Sequence, residues 1–269
     1  MSTYFKDKVV VVTGGTEGIG KALVDALITM GAKVATCGRN HDKLYRLQSE
    51  HPSAHLHTMV ADVSSENDCR RFIETTIKFF GGVDILINNA GISMRALLKD
   101  ASTETIRKVM DINFYGAVYC TRFALASIIE RKGTIVGVSS IAGYRGLPGR
   151  SGYSASKYAL QGFLESIRTE LMHDGVHVMW VCPGFTTSNI RNAALDKDAK
   201  SHGETPMDES NMMSAEECAE HILKAIRKKK RTLVLTFTGK RTVFMNKFFP
   251  GLADKLAYKF FFKNGELVK

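Results

Sequence analysis

The chain has 269 residues, 44% hydrophobic and 24% charged, with a net charge of +10. That composition suits one globular domain with a substantial core and excludes a low-complexity or disordered chain. The five cysteines, Cys37, Cys69, Cys120, Cys182 and Cys218, form no Cys-x-x-Cys pair, so no disulfide frame, zinc site or other metal is indicated, and a reducing, cytoplasmic setting is expected.

Met1–Lys8 leads almost directly into the first apolar run, with no signal peptide. No uninterrupted apolar stretch approaches the ~18 residues of a membrane-spanning helix. Val9–Thr13 is a run of valines closed by threonine, which predicts a parallel strand buried on both faces. The turn Thr13-Gly14-Gly15-Thr16-Glu17-Gly18-Ile19-Gly20 follows, and Gly18–Met30 reads as a helix ended by Gly31. Glycines let a backbone approach a pyrophosphate closely, and a helix N-terminus favours its charge. The next strand, Lys33–Cys37, runs into Gly38-Arg39-Asn40. A carboxylate there would bind ribose hydroxyls and repel a 2′-phosphate, whereas an arginine can grip the phosphate. NADP(H) is therefore expected in preference to NAD(H), with Glu17 a mild counter-signal if it faces that phosphate.

Further strands are predicted at His55–Asp62, Val83–Asn89, Gly133–Ser139, Val176–Cys182 and Thr232–Phe237. Helices are predicted at His41–His51, Asn67–Phe80, Thr103–Ile129, Gly152–His173 and Ala215–Lys228. Such alternation means a doubly wound parallel sheet in a three-layer α/β/α sandwich. Tyr153 and Lys157 stand four residues apart, on one helix face. An ammonium beside a phenol favours the phenolate, so Lys157 is expected to lower the Tyr153 pKa and let it exchange a proton with a substrate oxygen. Ser140, at the end of an apolar run, is placed to hold that oxygen.

With these residues in hand, the chain resembles the short-chain dehydrogenase/reductase family, over about Lys8 to Phe237. The resemblance rests on Thr13, Gly14, Gly18 and Gly20; on Asn88-Asn89-Ala90-Gly91; on Asn113 in Asp111-Ile112-Asn113; on Ser140, Tyr153 and Lys157; on Pro183-Gly184; and on Asp62 followed by Val63. It implies a Rossmann-type fold and hydride transfer between a nicotinamide and a carbonyl or alcohol. Tyr153 would be the acid–base, Lys157 would lower its pKa and bind the nicotinamide ribose, Ser140 would orient the substrate, and Asn113 would hold a water relaying protons from Lys157. The cofactor set is Gly14, Thr16, Gly18, Ile19, Gly20, Arg39, Asp62, Val63, Asn89, Ala90, Gly91, Tyr153, Lys157, Pro183, Gly184, Thr186 and Ser188, where Ser188 replaces the family's frequent threonine. The resemblance also implies a homodimer or homotetramer, pairing through Thr103–Ile129 and Gly152–His173.

Met94, Leu147 and Phe185 follow strand C-terminal ends and are candidates for the substrate wall, alongside Ser140 and Tyr153. The polar stretch 189–214 reads as a lid. Residues 1–240 form the catalytic unit and 241–269 an extension. His221–Lys269 holds thirteen Lys/Arg against Asp254 and Glu266, a net of +11, leaving −1 for the rest of the chain. Phe244, Phe248, Phe249, Tyr258, Phe260, Phe261 and Phe262 share the extension with Lys255, Lys259 and Lys263, which form a helical stripe, and Pro250-Gly251 breaks it in two. Three uses compete: contact with an anionic membrane at its cytoplasmic face, packing over the core, and nucleic-acid binding, the last not expected. The reading is an oxidoreductase for an apolar, lipid- or steroid-like carbonyl such as a ketosphinganine. The alternatives are a general reductase of small carbonyls and a nucleotide-binding sensor without turnover.

Overall fold

A computed structural model describes residues 3–186, 190, 193–200 and 212–268. Seven strands form one parallel sheet: β1 (Val9–Thr13), β2 (Lys33–Gly38), β3 (Leu56–Val60), β4 (Ile85–Asn88), β5 (Thr134–Val138), β6 (His177–Cys182) and β7 (Thr232–Val234). Their spatial order is β3-β2-β1-β4-β5-β6-β7. The order reverses between β1 and β4, so a crevice opens at their C-terminal ends. Register is set from Val10 opposite Val34 on one side and Ile85 on the other.

Alternation along each strand feeds two cores. Val10 and Val12 pack towards α1 (Gly18–Thr29) and α7 (Ala215–Arg227), together with Leu23, Leu27, Ile222 and Ile226. Val11 packs the other way, with Phe72 and Ile73 of α3 (Glu66–Phe80), Cys120, Ala124 and Ile128 of α5 (Gly116–Glu130) and Leu160 and Leu164 of α6 (Ser151–Glu170). All of β1 is buried, as its unbroken apolar run requires. The helices start where their caps dictate. Asn40 accepts from Lys43 N–H at α2 (His41–Glu50), Ser65 from Asp68 N–H at α3, and Ser214 from Glu217 N–H at α7.

The expected long helix Thr103–Ile129 is three pieces: α4 (Thr103–Met110), a π turn Asp111–Tyr115 and α5. The π turn holds Asn113, and π turns favour functional positions. The rod is long and apolar enough by composition to cross a membrane, but it lies on the sheet, with Cys120, Ala124 and Ile128 fully buried.

The extension folds as α8 (Phe237–Phe248), α9 (Pro250–Phe261) and a hairpin of β8 (Phe262–Lys263) and β9 (Glu266–Leu267). Pro250 opens α9, where its missing N–H costs nothing. The lysine stripe is shorter than expected: Lys255 and Lys259 lie on α9, but Lys263 has passed into the hairpin. Ala253 and Phe261 are buried, whereas Phe244, Phe248, Phe249, Leu252 and Tyr258 stand out from the surface.

Candidate active site

The crevice at the C-terminal ends of the strands is a cavity of about 800 Å³. Its first half is made by the glycine turn. Gly14 has φ +69°, which favours glycine, and its N–H donates to Cys37 O at 3.0 Å. A Cβ on Gly20 would lie 2.1 Å from Gly14 O, so helix α1 could not approach the turn with any side chain there. Thr13 Oγ1 accepts from the N–H groups of both Asn89 and Ala90, each at 3.0 Å, tying the turn to the loop after β4. Asn89 Nδ2 donates to Thr13 O at 2.9 Å and Gly14 O at 3.2 Å. Its amide therefore braces the cradle.

Thr16, Gly18, Ile19, Ala90, Gly91, Val63, Pro183, Gly184 and Thr186 line the cavity with these residues. Arg39 is 66% exposed at the end of β2, with Asp62 at 3.9 Å. Asp62 Oδ1 also accepts from Ser64 N–H at 2.9 Å. The Glu17 carboxylate is taken by Lys43 Nζ, so its charge is neutralised. Ser188 lies outside the described residues, as does much of the expected lid.

In the second half, Ser140, Tyr153 and Lys157 converge. Ser140 leaves the end of β5 in extended backbone and its Oγ accepts from Ala142 N–H at 3.2 Å. The Ser140 hydroxyl also hydrogen-bonds the Tyr153 phenol, which favours the phenolate, but burial dominates and the Tyr153 pKa is raised. This corrects the expectation that Lys157 lowers it. The Lys157 ammonium is 5.7 Å from the Tyr153 ring centroid and donates instead to Val138 O at 2.9 Å. Burial lowers Lys157 itself to about 8. Helical spacing put the two on one face, but the depth to which the face is buried decides the electrostatics.

Asn113 is buried, and its amide makes three hydrogen bonds. Oδ1 accepts from Ile92 N–H at 2.8 Å, and Nδ2 donates to Ile92 O and Ser156 Oγ, both at 2.9 Å. Ser156 Oγ donates on to Tyr153 O at 2.7 Å. The Asn113 side chain thus locks the π turn, the loop after β4 and α6 together. A Cβ on Gly91 would lie 3.1 Å from Asn113 Oδ1 and 3.4 Å from Lys157 Nζ, which explains a glycine there. Two braces escaped the sequence reading. Gln161 Nε2 donates to Ser139 Oγ at 2.8 Å, and Ser139 Oγ reaches Lys157 O at 3.4 Å. Gln161 stands two helical turns after Tyr153, a spacing that could have drawn attention.

Leu147 and Phe185 line the cavity, but Met94 does not. It is fully buried in a separate cluster with Ala96 and Val109, because the loop after Gly91 turns it inward to pair with Leu195. The apolar wall comes instead from the extension: Met245 of α8 and Ala253, Leu256, Phe260 and Phe261 of α9. Elsewhere Asp25, Glu50 and His51 cluster, but Lys21 Nζ sits 2.8 Å from both carboxylates and supplies the cation.

The glycine cradle suits a dinucleotide, because the Gly14 and Gly20 positions hold space that a side chain would fill. When bound, such a cofactor would accept or donate a hydride. Comparison with known proteins agrees. A family model described as short chain dehydrogenase matches residues 8–199. Dehydrogenase/reductase SDR family member 7B of Mus musculus is 36% identical over 257 residues, covering 93% of this chain and 80% of that protein. The SDR family protein 7-like of Anopheles gambiae is 31% identical, covering 90% and 78%. Among solved structures, a short chain dehydrogenase/reductase from Burkholderia phymatum in complex with NAD has a TM-score of 0.82 at 22% identity, covering 94% of this chain and 96% of that one. Levodione reductase has a TM-score of 0.76 at 24% identity, covering 86% and 96%. The chain belongs to the short-chain dehydrogenase/reductase family of oxidoreductases, enzymes acting on CH–OH and C=O groups.

Proposed function

We propose that the protein reduces an apolar ketone to a secondary alcohol with NADPH. The observation that carries this reading is that the Ser140–Tyr153 pair shares one cavity with the apolar side chains Met245, Leu256, Phe260 and Phe261. Ser140 orients the carbonyl oxygen and Tyr153 donates a proton to it. A phenol whose pKa is raised stays protonated at neutral pH, which suits an acid in reduction. Lys157, Gly14, Thr16, Gly18, Ile19, Gly20, Asp62, Val63, Ala90, Gly91, Pro183, Gly184, Thr186 and Ser188 would hold the dinucleotide, with Asn89 and Asn113 bracing them.

Support for NADP(H) over NAD(H) comes from charge. Arg39 is exposed at the adenosine end, and Lys43 cancels Glu17. Arg39→Ala should lower the ratio of NADPH to NADH efficiency by about tenfold or more, and an unchanged ratio would remove Arg39 from the role.

The extension also supports contact with an anionic membrane. Phe244 and Phe248 of α8 and Phe249 at its junction with α9 are 52–56% exposed, with Lys240 and Lys247 on α8 and Lys255 and Lys259 on α9. Replacing the three phenylalanines by serine should abolish sedimentation with phosphatidylserine vesicles; retained sedimentation would exclude this patch. Tyr115 and Tyr158, exposed on the π turn and α6, support pairing of two copies through these helices.

A further inference from the structure

We infer that Arg145 is a positioning residue that fastens the C-terminal helix pair to the catalytic loop and so builds the substrate-side wall. The inference rests on the reading of the cleft as a site of carbonyl reduction. Arg145 lies in the loop between Ser140 and α6, the helix of Tyr153, and its side chain is only 16% exposed. Its Nη1 donates to Asn246 Oδ1 of α8 at 3.0 Å and pairs with Asp254 Oδ1 of α9 at 2.7 Å. One guanidinium therefore holds both helices, 101 residues away in sequence in the case of Asn246.

The contact is reciprocal, since Asn246 Nδ2 donates to Tyr144 O at 2.7 Å. Arg145 Nε is buried without a hydrogen-bond partner among the described residues, so all the hydrogen bonds of this side chain there go to the extension. A mostly buried cation needs its partner, and removing the partner leaves the charge stranded. Two further contacts follow the same seam. Arg150 stacks over the Phe261 ring at 5.7 Å, and Gly149 lies where a Cβ would be 2.5 Å from Leu267. The loop that carries Leu147 and leads from Ser140 to Tyr153 is thus shaped against α8 and α9. Among the described residues, the side-chain bonds of Arg145 go to Asn246 and Asp254 and to none of the glycine turn, Asn89 or Lys157. Loosening it should move substrate binding and leave cofactor binding alone.

The test uses the full-length chain with NADPH and two probes, methyl undecyl ketone and cyclohexanone, for wild type, Arg145→Ala, Arg145→Lys and Asp254→Asn. In Arg145→Ala the KM for the long ketone should rise about tenfold or more, with the KM for NADPH within about twofold. Arg145→Lys should recover part of that loss. Asp254→Asn should shift the same KM by less, and adding it to Arg145→Ala should change nothing further. Hydrogen exchange should quicken in α8 and α9 but not in the β-sheet. An unchanged long-ketone KM, or a KM for NADPH that rises in step, would overturn the assignment. If Arg145→Ala does not fold, Asn246→Ala combined with Asp254→Asn carries the same expectations with the arginine intact. If wild type turns over neither ketone, the reduction reading fails, and the exchange arm still judges the fastening: α8 and α9 equally protected in Arg145→Ala would overturn it.

Discussion

The two halves of the cleft are built by different means. The cofactor half is made of backbone: a glycine at positive φ, a glycine with no room for a Cβ, and one threonine hydroxyl receiving two N–H groups. Its parts lie at the ends of neighbouring strands, and Thr13, Asn89 and Ala90 are tied by hydrogen bonds of 2.9–3.0 Å. The other half, where we propose that substrate binds, is made of side chains from distant segments. Loop 141–150 meets helices from the last thirty-odd residues, joined by Arg145. Backbone construction permits little variation in what is bound, whereas a wall of side chains can be re-cut for a new substrate without disturbing the cradle.

The sharpest separation of the halves is Tyr153→Phe. It should cut turnover about 10²- to 10⁴-fold, the usual worth of a positioned acid–base, while NADPH still binds, as read by fluorescence titration. Lost cofactor affinity would mean that the hydroxyl serves the wrong half. Gly20→Ala attacks the cradle, where the new methyl meets Gly14 O. NADPH affinity should fall more than about tenfold, consistent with the few kcal/mol of overpacking, and intact binding would show that helix α1 can retreat.

Phe261→Ala acts on the other half. Phe261 is 4% exposed, and its loss should cost about 3 kcal/mol of local packing. That should be seen as faster exchange in α9 and a raised KM for long ketones, with NADPH affinity kept. The smallest effect is in pH. Tyr153, raised by burial, stays protonated through neutrality, so reduction should be flat there and alcohol oxidation should climb with pH. Lys157, lowered to about 8, is charged below that pH and neutral above it. Reduction should therefore fall several-fold on passing about pH 8, and Lys157→Arg should remove the step. A profile without a step near 8 would remove Lys157 from the titration.

This division also explains what could be read without a structure. The alternation of valine-rich runs with capped helices carries the sheet, because strand burial and caps are local properties. The glycine turn and the convergence of Ser140, Tyr153 and Lys157 on one cavity are legible for a similar reason, since each follows from strand ends and helical spacing. Met94 misleads, since its place after a strand end says nothing of which way the loop turns. The wall from Met245 to Phe261 is hidden, because a basic, aromatic segment reads the same whether it lies on lipid or on its own enzyme. Its phenylalanines in fact divide, with Phe261 turned in and Phe244, Phe248 and Phe249 turned out. Spacing likewise gives the shared face of Tyr153 and Lys157 but not the burial that raises one and lowers the other.

The central claim is best tested by NADPH consumption over a ladder of ketones, from cyclohexanone to steroid and long-chain β-keto lipids, with NADH in parallel. Efficiency that climbs with apolar size, and does so with NADPH, is the predicted result. Equal efficiency on small and large ketones, or preference for NADH, would contradict it.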